Sequence, residues 1–196
     1  MLDLPKSTYF GRIIAKDKIY SHAGADSDLK EVFVKQVERL RWLHKISPAT
    51  VNIAKGGQVE EIQVIEVSLT VPVPDRRILP AIIKAIPYKI VFALVCAGKT
   101  QYTVYYDSKT CFASDMPPKL IGNNTDSVWE NIIVQIGGLA VVEGKTLGEQ
   151  IEADRERENI SRKIEKLEQQ ARTEKQPRRK WELAEEIRRL KGKLDK

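Results

Sequence analysis

Carboxylates with a lysine close by are the residues of this 196-residue chain best suited to chemistry. Pro74-Asp75, followed downstream by Asp107-Ser108-Lys109, supplies the residue types of a PD-(D/E)xK metal-dependent nuclease. There, two acids hold Mg²⁺ and a lysine steadies the attacking water. The acids must sit on adjacent strands. Here a short helix is expected between them, and Asp107-Ser108-Lys109 has the composition of a turn closing a strand. The turn is the preferred reading. A second constellation joins Glu66 with Glu61 and Lys89 on neighbouring strands. Glu66 falls mid-strand on the more polar face, where a solvated or ion-paired carboxylate is the ordinary outcome.

Other catalytic patterns are missing from the sequence. Two His (His22 in a loop, His44 at an expected helix end) and two distant Cys (Cys96, Cys111) do not write a zinc site. Lys55-Gly56-Gly57 lacks the Lys-Ser/Thr that completes a phosphate-binding loop, and no nucleophile elbow occurs. No catalytic residue, metal ligand or cofactor is therefore assigned.

Recognition is better represented than catalysis. Arg178-Arg179-Lys180 and Arg188-Arg189-Leu190-Lys191 are the densest basic clusters. At helical spacing Lys180, Arg188 and Lys191 share a stripe that could face phosphates. Interleaved Glu182, Glu185 and Glu186 also fit a solvated helix face. Residues 151–196 hold 15 Lys or Arg against 11 Asp or Glu, and the first 150 hold 18 against 16. Most of the net charge of +6 thus sits on the last quarter.

The elements that position these residues follow from hydrophobic period. The composition, 42% hydrophobic and 31% charged, supports one ordinary domain with an appendage. No apolar run reaches the ~20 residues that span a bilayer, and the N-terminus lacks a signal-peptide stretch, so a cytoplasmic protein without membrane contact is expected. The first twenty residues read as an arm draped on the domain. Leu29, Phe33, Val37, Leu40 and Leu43 share a helical face, so a helix is expected over 28–45, capped by Ser27 or Asp28. Alternation over 60–71 and an apolar run over 88–95 read as strands, with a hairpin into 101–106 and an edge strand near 110–113. Helices are expected over 79–86 and 125–137. A mixed sheet of three to five strands with flanking helices results.

Thr146-Leu-Gly-Glu149 is a capping box that starts a final helix. Ile160, Ile164, Leu167 and Ala171 recur at four, three, four, and Leu183, Ile187, Leu190 and Leu194 repeat that spacing. Each set is a seam built to pack on another helix. Extending the first register past Ala171 places apolar residues at 174, 178, 181 and 185, where Glu174, Arg178, Trp181 and Glu185 stand, and the stripe restarts at Leu183, so the seam slips, and Pro177 lies in the slip. Pro is tolerated in a first helical turn, so a hairpin whose second helix opens at Pro177 is the preferred reading over one kinked helix. Trp181, with Arg178 and Arg188, is the candidate partner contact; the competing role for Trp181 is to seal the hairpin's own core.

The blocks Leu4-Pro-Lys-Ser-Thr8, Glu60-Glu-Ile-Gln-Val64, Ala85-Ile-Pro-Tyr88, Glu174-Lys-Gln176 and Arg179-Lys-Trp-Glu-Leu183 together resemble a bacterial family known as domain of unknown function 4391. The resemblance implies an α/β body followed by a helical hairpin, with no established activity. It also implies an accessory role, because family members are often encoded beside helicases and DNA methyltransferases in restriction or phage-defence loci. The expected protein is an α/β (α+β) body over 1–145 with a helical hairpin or coiled-coil arm over 146–196. Its expected function is non-enzymatic: an accessory subunit docking a helicase- or methyltransferase-type partner through the arm. A small metal-dependent nuclease and a DNA-binding module are the alternatives.

Overall fold

A computed structural model describes residues 3–140 and 144–194. They fall into two compact units, one ending at Ala140 and the other formed by 144–194. In the first unit a 3₁₀ turn at Lys6–Thr8 leads into β1 (Tyr9–Ile13), α1 (Lys16–Ala23), α2 (Ser27–Gln36), β2 (Val37–Ile46) and a single turn, α3 (Pro48–Val51). Then come β3 (Ile62–Leu69), α4 (Ile78–Ala85), β4 (Lys89–Cys96), β5 (Lys99–Tyr105), β6 (Cys111–Ser114) and α5 (Thr125–Gly137). The second unit holds α6 (Leu147–Thr173) and α7 (Pro177–Leu194). The class is α+β as expected, but the sheet has six strands in the order β1-β2-β3-β4-β5-β6. All neighbours are antiparallel except β3 and β4, which run parallel across the α4 connection.

Two expectations are corrected at the N-terminal end. The helix expected over 28–45 stops at Gln36, and the chain continues directly into β2. Its cap is Asp26, whose carboxylate accepts from Leu29 N at 2.8 Å. The misleading signal has a physical cause. Two bulges, between Val37 and Arg39 and between Trp42 and His44, each insert an extra residue opposite β3. A bulge breaks the two-residue alternation of a strand, so buried Val37 and Leu40 share one face at a helix-like spacing of three. The segment expected as a draped arm instead supplies β1 and α1. There Gly11, at φ +63°, lies where the register of β1 against β2 slips, a conformation open to glycine at little cost.

Successive strand residues face opposite ways. One face of the sheet presents Ile65, Val67, Leu69, Ile90, Phe92 and Leu94 to α1, α2 and α4, which contribute Ile19, Phe33, Ile78 and Ile82. Closing such a side chain stabilises the fold by about 1.5–3 kcal/mol relative to exposure. On the other face Ile46, Val64 and Val91 surround a small void with Ile132 of α5.

The edge of the sheet where β3 and β4 begin is stitched to the start of α5. Thr125 Oγ1 donates to Val59 O and accepts from Gly56 N. Asp126 accepts from three successive backbone amides, Gly57 N (2.7 Å), Gln58 N (3.1 Å) and Val59 N (2.6 Å). These bonds, Val59 first, hold the Asp126 carboxyl below its ordinary value of 3.8. The folded state thus favours the ionised form, and its contribution is complete above pH 3.8 and lost as the pH falls through the lower folded value. Asp126→Ala should lower the melting temperature by several degrees at pH 7, with the gap to wild type narrowing as the pH drops below about 4. Calorimetry across that range checks it.

Candidate functional site

The nuclease acids do not converge. Asp75 follows β3, and its amide receives no metal-site geometry: it donates to Gln36 Oε1, while its carboxylate forks onto Arg77 at 3.0 Å on each oxygen. That pairing draws the Asp75 carboxyl down to about 2. Asp107 follows β5, where its Oδ1 accepts from Lys109 N and Thr110 N, both at 2.7 Å, in the turn to β6. Because β5 runs antiparallel to β4, with Cys96 level with Lys99 and Val91 level with Val104, Asp107 lies at the edge where β3 and β4 begin. Asp75 lies at the edge where β3 ends. The eight-residue length of β3 separates those edges by roughly 25 Å at ~3.3 Å per residue. One metal cannot be shared over that span.

The second constellation is not gathered at one point. Glu66 lies inside β3, whereas Glu61 precedes the strand and lines, with Lys89 and Asp107, a cavity of about 600 Å³ where β3 and β4 begin. Glu66 sits opposite Arg41 in the β2–β3 register and accepts from Arg41 Nη2 (2.7 Å) and Nε (3.2 Å). Glu61 is buried, pairs with Lys45 Nζ at 2.5 Å and accepts from Gln63 Nε2 at 3.0 Å. Lys89 lies level with Ile62, its ammonium 5.6 Å from the centre of the Trp129 ring. Each charge is satisfied locally. Among the described residues no group of three or more His, Cys, Asp or Glu is placed to hold a metal.

The histidines are also relocated. His22 is in the last turn of α1, its Nδ1 at 2.7 Å from Lys18 O, rather than in a loop. His44 lies in β2 rather than at a helix end; its Nδ1 meets Thr8 Oγ1 at 2.8 Å, and burial lowers its pKa. Both cysteines are free thiols.

The helical pair is built as its sequence directs. Thr146 caps α6: its Oγ1 accepts from Glu149 N (3.3 Å), and its own amide donates to Glu149 Oε2 (2.8 Å). Helix α6 ends at Thr173, residues 174–176 turn the chain with Gln176 N on Glu174 Oε1 (2.9 Å), and Pro177 opens α7. Ile164, Leu167, Leu183 and Leu190 form the buried core, with Ile160, Ala171, Ile187 and Leu194 packed around it. Lys163 to Glu186 and Lys191 to Glu168, both 2.8 Å, tie the helices across the seam. Residues 154–159 of α6 bury none of their side chains fully.

Trp181 stands outside that core with 66% of its surface exposed, so it does not seal the pair. Arg178 and Arg188 are nearly free in solvent, with side chains 94% and 81% exposed; their ion pairs run to Glu182 (3.7 Å) and Glu185 (2.7 Å) on α7. Of the expected phosphate-facing stripe, Arg188 and Lys191 are engaged by Glu185 and Glu168, and Lys180 is exposed without an ion pair among the described residues. The arrangement presents an exposed aromatic ring with exposed guanidinium groups, on a helix whose apolar seam is already packed.

What the sequence left unread is the packing of β1 on β2. Phe10 lies on Trp42 with ring centres 4.3 Å apart, and the Arg12 guanidinium sits 4.6 Å above Phe10. Aromatic residues at 9, 10 and 42 were the available signal, obscured by the two bulged strands.

The model of the family described as a domain of unknown function (DUF4391) matches residues 2–109 and 107–194. No curated protein and no solved structure matches the chain. Among the described residues no helix is long and apolar enough to cross a membrane.

Proposed function

Since the chain belongs to the DUF4391 family along nearly its whole length, we infer that it is a non-enzymatic accessory subunit of a bacterial DNA-processing or phage-defence complex. It docks a helicase- or DNA methyltransferase-type protein through α6 and α7, working in the cytoplasm where its two thiols stay reduced. The observation that carries the reading is Trp181: a large aromatic side chain, two-thirds exposed, on a helix whose hydrophobic seam is already closed without it. Interfaces draw most of their energy from a few buried aromatic and Arg anchors, so Trp181 flanked by Arg178 and Arg188 is suited to fill a partner's pocket. Their local pairs with Glu182 and Glu185 are exposed and contribute little, so they can be exchanged for a partner's carboxylates.

Trp181→Ala should weaken the partner at least about 30-fold, the equivalent of a ~2 kcal/mol anchor. The melting profile should not change, because Trp181 adds nothing to the seam. Titration of full-length protein against the co-expressed helicase- or methyltransferase-type protein of the native host measures it. Equal affinity for wild type and Trp181→Ala would remove Trp181 as the anchor.

A further inference from the structure

The concave surface where β1, α1 and the end of α4 meet is a second candidate for recognition, and its chemistry differs from that of the arm. It encloses a cavity of about 450 Å³, within the range of small-ligand sites. Arg12 and Lys18 bring cations to it, His22 an imidazole edge, Trp42 and Tyr88 aromatic rings, and Gln63 an amide. None of the residues lining it is acidic. The floor is apolar, with Ile19 and Ile86.

Several of these groups are fixed in advance. The Trp42 indole donates to His44 O at 3.0 Å and is packed on one side by Phe10, so its orientation is set before any ligand arrives. The Arg12 guanidinium is held over Phe10, at the rim of the same cavity. Gln63 is 96% buried, with its Nε2 bound to Glu61 and no hydrogen bond on its Oε1 among the described residues. The negative charge of Glu61 behind it is matched by Lys45. His22 fixes its ring through Nδ1 on Lys18 O, leaving Nε2 available.

Two aromatic rings, a buried amide and a cationic rim without carboxylates are complementary to a planar heterocycle carrying a phosphate. We propose that this cavity binds a nucleotide unit, its base against Trp42 and Tyr88 with an edge toward Gln63, and its phosphate toward Arg12 and Lys18. An exposed base stacks on an aromatic side chain whatever its identity, and backbone phosphates are held by cations. The site lies wholly in the α/β body, and it goes beyond the docking role of the arm without depending on it. The unit is either a free nucleotide or part of an unpaired strand, and the two are separable by competition.

The test uses full-length protein and a fluorescein-labelled ten-nucleotide single-stranded DNA, read by anisotropy at 50 and 200 mM NaCl. Arg12→Glu combined with Lys18→Glu, both exposed positions, should weaken binding more than tenfold. The double variant should also flatten the log–log salt slope by about 0.7, for the one phosphate that the two cations share. Trp42→Leu should cost roughly tenfold, and Lys18→Ala, on the solvent side of α1, supplies a milder variant if either of the others fails to fold. Competition by dAMP at a similar affinity assigns a free nucleotide; competition by the unlabelled strand alone assigns nucleic acid. No measurable binding overturns the proposal. So does binding unaffected by Lys18→Ala and the other variants, or equal competition by duplex DNA or a ten-residue polyglutamate.

Discussion

Leu183→Asp is expected to unfold residues 144–194 and leave the α/β body unchanged. Leu183 is 6% exposed and belongs to the four-residue core of the helical pair, with Ile164, Leu167 and Leu190. Truncating a buried leucine costs about 2–5 kcal/mol, and an unpaired carboxylate in its place costs more. Little stands in reserve. Helices α6 and α7 are rich in charged residues, isolated helices of this size are marginal in water, and most of their stability comes from the packed apolar face. The two cross-seam ion pairs, Lys163–Glu186 and Lys191–Glu168, are exposed enough that solvent screens them, and they cannot hold the pair without its core. The body keeps its own core on both faces of the sheet. Limited proteolysis should show rapid cleavage within 144–194 and an intact body fragment, and far-UV circular dichroism should lose helical signal with the β signature preserved. Unchanged protection of the helical pair would contradict this account of its core. Leu183→Met, a volume-conserving change, should behave as wild type.

How far the sequence discloses this structure depends on how far local pattern and tertiary position agree. At Thr146 and Pro177 they agree fully. A capping box and a first-turn proline act through bonds within a few residues, so the ends of α6 and α7 are readable, and the seam slip after Ala171 is the turn between them. In β3 and β4 the apolar residues alternate or run continuously, which a buried strand requires. In β2 they conflict: Val37 and Leu40, three residues apart, both face α1, α2 and α4 only because β3 fixes a bulged register, a long-range effect that leaves a helical period in the sequence. The same bulge geometry conceals β1, and with it the cavity lined by Arg12 and Trp42.

The charged constellations show the same limit. Asp75 and Asp107 have the residue types of a metal site, but the direction of β5 decides that they lie at opposite edges. Glu66 lies inside β3, whereas Glu61 precedes the strand and turns to Lys45 and Gln63. Neither fact is present in residue spacing without the pairing of the strands. Trp181 is the converse case. Two roles were open to it, partner contact or internal seal; Leu183 and Leu190 pack without it, and partner contact is a proposal that Trp181→Ala tests.

The proposal that the helical pair is a docking handle is tested most directly by deleting residues 144–196 and measuring affinity for the proposed helicase- or methyltransferase-type protein. The body has a closed core of its own, so the truncated protein should remain folded, with the melting profile of the body retained. Loss of the Trp181, Arg178 and Arg188 surface should remove the contacts that dominate an interface of this kind, and partner binding should fall by at least 100-fold, about 2.7 kcal/mol. Calorimetric titration of both proteins against the same partner preparation gives the comparison. A folded body that no longer captures the partner is the predicted result; a folded body that captures it with unchanged affinity would contradict the account.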